Sequence, residues 1–375
     1  MQKPKICFVC ENAYLLLGRS DRQNFIGGAE LQQLMLAQEL TKRDYEVVFI
    51  TNDFGQQTEM EWQSIRFIPT YNVANGLPFL RFFYPKLFKL WKGLAKANAD
   101  IYYLRCAGFE LAPLVFFTKR NRKKVIFCGA DERDFDPKRV ALPILRDRIM
   151  YFWGLRRCDA IVAQNKAQQC LLRKNFLINA SIIYNGFRET QREISLQEDI
   201  LWVANFLNIK QPWIFLEIAR HFPDEQFVMV GGRTNDRNKE KCNLYDAIAS
   251  EAKRLSNVKF KGFLPFELAD KQFDRAKVFI NTSLHEGFPN TFLQAWSRKI
   301  PVISFVDPDN LIRENRLGLV ATNTSQMIQH LSDFLSSRIT FSADNIRTFY
   351  EANFSIEQVV DKYEKVFRSL MDKAP

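Results

Sequence analysis

The sequence predicts an α/β protein of two Rossmann-like doubly wound domains facing across a cleft. Three observations carry this. Short apolar runs rich in Val, Ile and Phe alternate with helical stretches along the whole chain. The alternation breaks at a polar, charged stretch, Arg188–Asp199, and then restarts. A length of 375 residues is also too great for one ordinary core and suits two. The domains are drawn at 1–188 and 189–352, with a C-terminal helix over 353–375 expected to pack back toward the first.

In the first half, Ile6–Cys10 is a strand and Ala29–Arg43 has the apolar spacing of an amphipathic helix, through Leu31, Leu34, Met35 and Leu40. Glu46–Thr51 has the continuous β-branched character of a buried parallel strand. Asp100–Leu104, Lys124–Cys128, Asp159–Ala163 and Ser181–Tyr184 repeat it. In the second half the strands are Ile200–Ala204, Gln226–Gly231, Val258–Phe260, Lys277–Asn281, Ile300–Ser304 and Gly318–Ala321. Helices are expected at Pro212–His221, Leu244–Leu255, Phe266–Arg275 and Asn290–Arg298, and again beyond Ser325 to a last one at Ser355–Met371. Sheets of this kind bind ligands at the carboxyl ends of their strands, so function is expected in the loops that follow strands.

Composition narrows the class. The balance of 47% hydrophobic and 25% charged residues excludes a disordered chain. No apolar run approaches the roughly 18 residues of a membrane span. The first apolar run turns polar at Glu11-Asn12, too early for a secretory signal, so the protein is expected in the cytoplasm. Cys7 and Cys10 form a CxxC, but on a strand residues i and i+3 face opposite sides, which makes them core cysteines rather than a redox or zinc pair.

Charge is uneven. Residues 1–188 carry 29 Lys+Arg against 17 Asp+Glu, whereas the rest carries 24 against 25. A basic first half suits an anionic membrane surface or a lipid-phosphate acceptor. Nucleic acid is the other partner such charge suits, but no nucleic-acid motif accompanies it and none is expected. The segment Leu77–Lys92 interleaves aromatic and basic residues, and Leu142–Arg157 repeats the theme. Such helices lie in a membrane interface or pack on a core with their lysines snorkelling. With the basic first half, they point to peripheral attachment at the inner leaflet.

The segment from Asn281 to Trp296 carries the strongest chemical signal. A strand ends, a turn containing Glu286-Gly287-Phe288-Pro289 follows, and a helix starts near Pro289. Backbone N–H groups near Asn290 and Thr291 would suit a diphosphate. Glu286 can accept hydrogen bonds from sugar hydroxyls, and Gln294 can reach the vicinal hydroxyls of a ribose.

Glu286-Gly-Phe-Pro with a polar residue at 294 resembles the Glu-x7-Glu segment of glycosyltransferase family 4. The resemblance implies a retaining enzyme with the GT-B fold, in which the first Glu contacts the donor sugar and the second binds the ribose. Here Gln294 stands at the second position and gives up the charge. Trp202-Val-Ala-Asn205 through Lys210 is similar to the family's opening of the second domain, where an Arg and a Lys neutralise the diphosphate; Lys210 matches the Lys and Asn205 stands at the Arg. Gly27-Gly28-Ala29-Glu30 matches a loop that meets donor phosphate and acceptor, although Glu30 suits a helix dipole equally well.

The loop after Lys124–Cys128 holds Asp131, Arg133, Asp134 and Asp136. Asp131 is the group placed to orient an acceptor hydroxyl. Arg105, Arg133 and Asp134 are acceptor-side candidates. Asp134-x-Asp136 spells the motif that holds a metal in glycosyltransferases of another fold, but the GT-B resemblance implies no metal and no cofactor beyond the sugar nucleotide. None of the three histidines (His221, His285, His330) falls near this loop.

The expected function is therefore transfer of a hexose from a nucleotide-diphosphate sugar to a saccharide or lipid-linked acceptor, in polysaccharide or glycolipid synthesis. The alternatives are a sugar-nucleotide epimerase of the same fold, weakened by the scarcity of histidine, and a non-catalytic sugar-nucleotide-binding protein, suggested by Asn205 and Gln294.

Overall fold

The computed structural model describes residues 3–17, 27–56, 58–72, 82–188, 198–233 and 239–372, the side chains of 239–243 excepted. They divide into two compact units, one of residues up to 186 together with 356 onward, the other of 187–355. Each is a parallel sheet flanked by helices. Among the described residues no helix is long and apolar enough to cross a membrane.

The first unit holds eight strands: β1 (Ile6–Val9), β2 (Val47–Thr51), β3 (Met60–Trp62), β4 (Ile65–Pro69), β5 (Ile101–Arg105), β6 (Lys124–Cys128), β7 (Ala160–Ala163) and β8 (Ser181–Ile182). Their order is β3-β4-β2-β1-β5-β6-β7-β8, parallel except for β3. The inner strands are buried on both faces, as the unbroken runs Ile-Cys-Phe-Val and Val-Val-Phe-Ile-Thr require. Cys7 and Cys10 are both free and buried in this core.

The edge hairpin β3–β4 is not foreseen in the sequence. Its turn places Gln63 and Ser64 at positive φ, 51° and 60°. Two-residue hairpins of that conformation favour Asn-Gly or Asp-Gly, and this one carries neither cue.

The second unit has six strands: β9 (Asp199–Val203), β10 (Phe227–Val230), β11 (Val258–Gly262), β12 (Ala276–Asn281), β13 (Val302–Ser304) and β14 (Gly318–Val320). They are all parallel, in the order β11-β10-β9-β12-β13-β14. Trp202, Phe215, Phe227, Met229 and Ile280 form its core.

The last helix, Ile356–Asp372, belongs to the first unit. The hydroxyls of Tyr363 and Tyr103 meet at 3.1 Å, and Arg43 pairs with Asp361 at 2.5 Å.

Strand order fixes where ligands can enter. In the first sheet the winding reverses between β1 and β5, and in the second between β9 and β12. At such a switch point the neighbouring loops diverge to opposite faces and leave a crevice at the carboxyl edge.

Candidate functional site

In the second unit, the loops after β9 and β12 meet at the switch point and are laced together. Leu284 N donates to Ile209 O at 2.9 Å, and Thr282 Oγ1 donates to Lys210 O at 2.6 Å. Thr282 also accepts from Trp202 Nε1 at 2.9 Å. These bonds are all inside the unit's framework, so the two loops behave as one rigid support.

On that support Lys210 Nζ meets Glu286 Oε1 at 2.5 Å, both side chains being largely but not fully buried. Ser283 Oγ donates to the same carboxylate oxygen at 2.6 Å, and Asn281 Nδ2 stands 3.5 Å from it. A cation and a carboxylate are thus held at the carboxyl edge with their partners chosen in advance. The arrangement can neutralise an anionic leaving group with Lys210 and receive hydroxyls with Glu286.

The loop after β10 closes against the same region, since Phe206 N donates to Gly232 O at 3.1 Å. A Cβ at Gly231 would run into the carbonyl oxygen of Ala204, so glycine is required by close approach of two backbones. Gly231-Gly232 was the available signal for this third loop. Thr282 and Ser283 had none, because nothing in their local sequence marks which hydroxyl will join two loops.

The helix after the Glu286 turn runs from Asn290 to Trp296 with Pro289 as its N-cap, one position outside the helix rather than in its first turn. Phe292 N closes on Pro289 O at 3.2 Å. Asn205, Gly287, Asn290 and Thr291 are half-buried in these loops.

Two of the donor-site candidates have side chains held inside the unit. Phe288 is buried and packs against Phe354, with ring centroids 5.3 Å apart and planes tilted by 41°, so it anchors the turn to the core. Gln294 is buried too, and its Nε2 donates to Asp270 Oδ1 at 2.8 Å. Arg298 completes that buried network through Asp270 Oδ2 at 2.7 Å and Asp274 Oδ1 at 2.6 Å. An amide suits this place because it donates to a carboxylate.

At the switch point of the first sheet a cavity of about 160 Å³ is lined by Glu11, Glu30, Gln33, Arg105 and Glu110 among others. Arg105 ends β5, is buried, and donates to Asn185 Oδ1 at 2.8 Å; it pairs with no carboxylate among the described residues. Its Nε and the Oε1 of Gln33 are buried without a hydrogen-bond partner. Glu30 folds back over Gly27 at the N-terminus of the helix Gly28–Lys42, within reach of Asn12 Nδ2 at 3.3 Å. Gly27 and Gly28 thus open the helix beside this cavity. Burial, then the neighbouring charge of Glu11, pushes the carboxyl of Glu110 well above the usual carboxylate range, while Lys86 at 3.5 Å pulls the other way. Glu11 and Glu110 were missed in the sequence; each is a lone acid next to a strand end or helix start.

The loop after β6 departs from expectation. Asp131 caps the short 3-10 turn Glu132–Phe135, and both its oxygens accept from Arg133, at 2.9 and 3.0 Å. Burial pushes its carboxyl up, but the bonds and charge of Arg133 outweigh this and hold it below the usual range. A carboxylate so held is a poor proton acceptor, so the structure gives Asp131 and Arg133 a capping role. Asp134 turns inward, accepting from Ala130 N at 2.8 Å and Asp131 N at 3.2 Å, which corrects its placement among the acceptor-side candidates. Asp136 accepts from Lys138 N at 2.9 Å, so the DxD serves the backbone of the turn.

Residues 26–191 match the family described as Glycosyltransferase Family 4, and residues 197–337 match Glycosyl transferases group 1. No curated protein sequence matches. Among solved structures, the chain is similar to a sucrose-phosphate synthase from Thermosynechococcus elongatus, at 15% identity and a TM-score of 0.76 over 99% of this chain and 100% of that one. Anabaena HepE in complex with UDP and glucose gives 16% identity and a TM-score of 0.73 over 98% and 100%. A glycosyltransferase from Rickettsia africae gives 15% and 0.69 over the full length of both chains. With two parallel-sheet units and both halves matched, the chain belongs to glycosyltransferase family 4 and has the GT-B fold.

Proposed function

We propose that the chain transfers a hexose, with retention and without a metal, from a nucleoside-diphosphate sugar to a saccharide or lipid-linked acceptor in the synthesis of a cell-surface polysaccharide or glycolipid. The observation that carries this is the Lys210–Glu286 pair on the laced loops of β9 and β12. Lys210 supplies the positive charge that a departing diphosphate needs, and the amides around Asn290 add to it. Glu286 fixes the sugar through its hydroxyls. The cavity of the first unit takes the acceptor, with Arg105 and Glu30 as its polar contacts. Retention follows a same-face route, in which the leaving diphosphate oxygen takes the acceptor's proton. The low basicity of Asp131 favours that route over a protein base.

A thermal-shift screen against uridine, guanosine, adenosine and thymidine diphosphates and their sugars, with and without EDTA, tests the donor site. The complexes of HepE with UDP and glucose put uridine first. A ligand at a hundred times its Kd adds roughly 2.7 kcal/mol of stability. The expected result is a shift with one base, unchanged by EDTA and lost in Lys210→Ala. Silence with all four bases overturns the donor site; a shift that EDTA abolishes overturns metal independence.

A further inference from the structure

The first unit carries a second concavity unlike the polar one. A groove of about 540 Å³ lies between the helices Phe88–Ala97, Leu111–Arg120 and Leu145–Leu155, and its lining is wholly apolar, Phe88, Trp91, Pro113, Phe116, Met150 and Trp153 being its main walls. Its volume is in the range that holds drug-sized ligands, ~300–1,000 Å³. Trp91 is wedged against Phe117 and Phe116, at 5.0 and 5.9 Å between centroids, which makes the floor rigid. Of the lining, Phe83 and Phe116 are each more than half exposed, as are Leu145 and Ile149 on the helix that carries Met150 and Trp153. A contiguous apolar surface of this kind marks a binding site on a protein that otherwise buries its core.

The charge around the groove says what covers it. Residues 82–97 hold four lysines and no acid, and residues 145–157 hold four arginines against one aspartate. Lys92 stands over the ring of Phe88 at 4.6 Å and Arg157 over Trp153 at 4.5 Å, so cations and aromatic edges share the rim. In a two-fold pair of this chain the same basic rim would face itself, which disfavours a second copy. Anionic headgroups complement the rim, hydrocarbon complements the floor, and aromatic rings beside cations suit the boundary between them.

We propose that this groove takes one acyl chain of an anionic phospholipid, docking the first unit on a bilayer through headgroup contacts at Lys92 and Arg157. The inference rests on the membrane-side acceptor of the proposed function only for its purpose; the groove and its rim stand without it.

Flotation of the full chain with vesicles of phosphatidylcholine alone, or mixed with phosphatidylglycerol, tests this, together with quenching of tryptophan fluorescence by lipids brominated along the chain. Binding to the mixed vesicles with chain-bromine quenching is expected. Phe116→Glu keeps all six tryptophans, alters an exposed side chain, and is expected to lose about tenfold or more in vesicle affinity, together with the quenching. An unchanged thermal melt and an unchanged shift with the nucleoside diphosphate show that this variant is folded and its donor site intact. Equal binding by Phe116→Glu, or binding without quenching, overturns chain insertion and leaves only surface adhesion. Concentration-dependent dimers that Phe116→Glu abolishes overturn the lipid in favour of a second copy. A parent protein that inserts into vesicles but shows no nucleotide shift would defeat the transferase reading and leave the groove standing.

Discussion

The two sheets present opposite kinds of carboxyl edge. At the switch point of the second unit the central charges are matched: Lys210 has Glu286, and Glu286 has Ser283 as well. At the switch point of the first, Arg105 is buried without an acid among the described residues, while Glu110 is crowded by Glu11. The first arrangement is finished before any ligand arrives, which is what stabilising charge in a leaving group demands, because donors fixed in advance cost no reorganisation during reaction. The second is left for a ligand to complete, since a hydroxyl-rich acceptor can donate to carboxylates and accept from a guanidinium at once. Under the proposed function, rigidity would serve the donor in one unit and unsatisfied polarity the acceptor in the other.

The largest effects should separate the two edges. Lys210→Ala and Glu286→Ala are each expected to lower kcat/KM by about 10²–10³-fold, in transfer and in donor hydrolysis with water alike. The double variant should fall little further, because the two act as one unit. Arg105→Met is expected to leave donor hydrolysis within about twofold and to cut transfer by about tenfold, the scale of one lost charge-assisted hydrogen bond. Steady-state assays with and without acceptor decide it. If Arg105→Met damages hydrolysis as much as Lys210→Ala does, the contrast between a donor edge and an acceptor edge is broken.

A smaller effect tests the matched edge from its interior. By sequence, Gln294→Glu restores the family's carboxylate and would tighten nucleotide binding. In the fold it sets a second carboxylate against Asp270, where the amide now donates at 2.8 Å. The expected outcome is a loss of about 1–3 kcal/mol in thermal or urea unfolding, with no gain in nucleotide affinity. Tighter binding at unchanged stability would return Gln294 to the ribose.

How much was legible follows from how local each signal is. The parallel strands announce themselves as apolar runs such as Val47–Thr51, and Glu286 and Lys210 lie next to strand ends that the same runs define. The β3–β4 hairpin escaped because Gln63-Ser64 adopts a turn its residues do not advertise. The inward packing of Gln294 and Phe288 is not legible, because a polar or aromatic residue near a helix start faces ligand or core according to neighbours, here Asp270 and Phe354, that lie far along the chain. The Glu11–Glu110 encounter is of the same kind: it exists only once strand order brings β1 beside β5. The stretch 77–81 of the aromatic-basic segment and the linker residues 189–197 lie outside the described residues.

That encounter gives the smallest effect and the one most specific to the unmatched edge. Burial and the charge of Glu11 raise the folded-state pKa of Glu110, so the folded chain keeps a proton that the unfolded chain releases near pH 4.3. Stability from this group is therefore complete below that pH and is lost as the pH rises toward the folded value. Glu110→Gln holds a neutral donor at the same place at every pH. Its melting temperature should match that of the parent near pH 4 and exceed it increasingly above pH 5, by about 1 kcal/mol or ~2–4 °C in a unit of this size. Melts across that range check the slope rather than the offset. A constant difference would mean that Glu110 is ionised alike in both states, paired with Lys86 instead of crowded by Glu11, and the first edge would then be as well matched as the second.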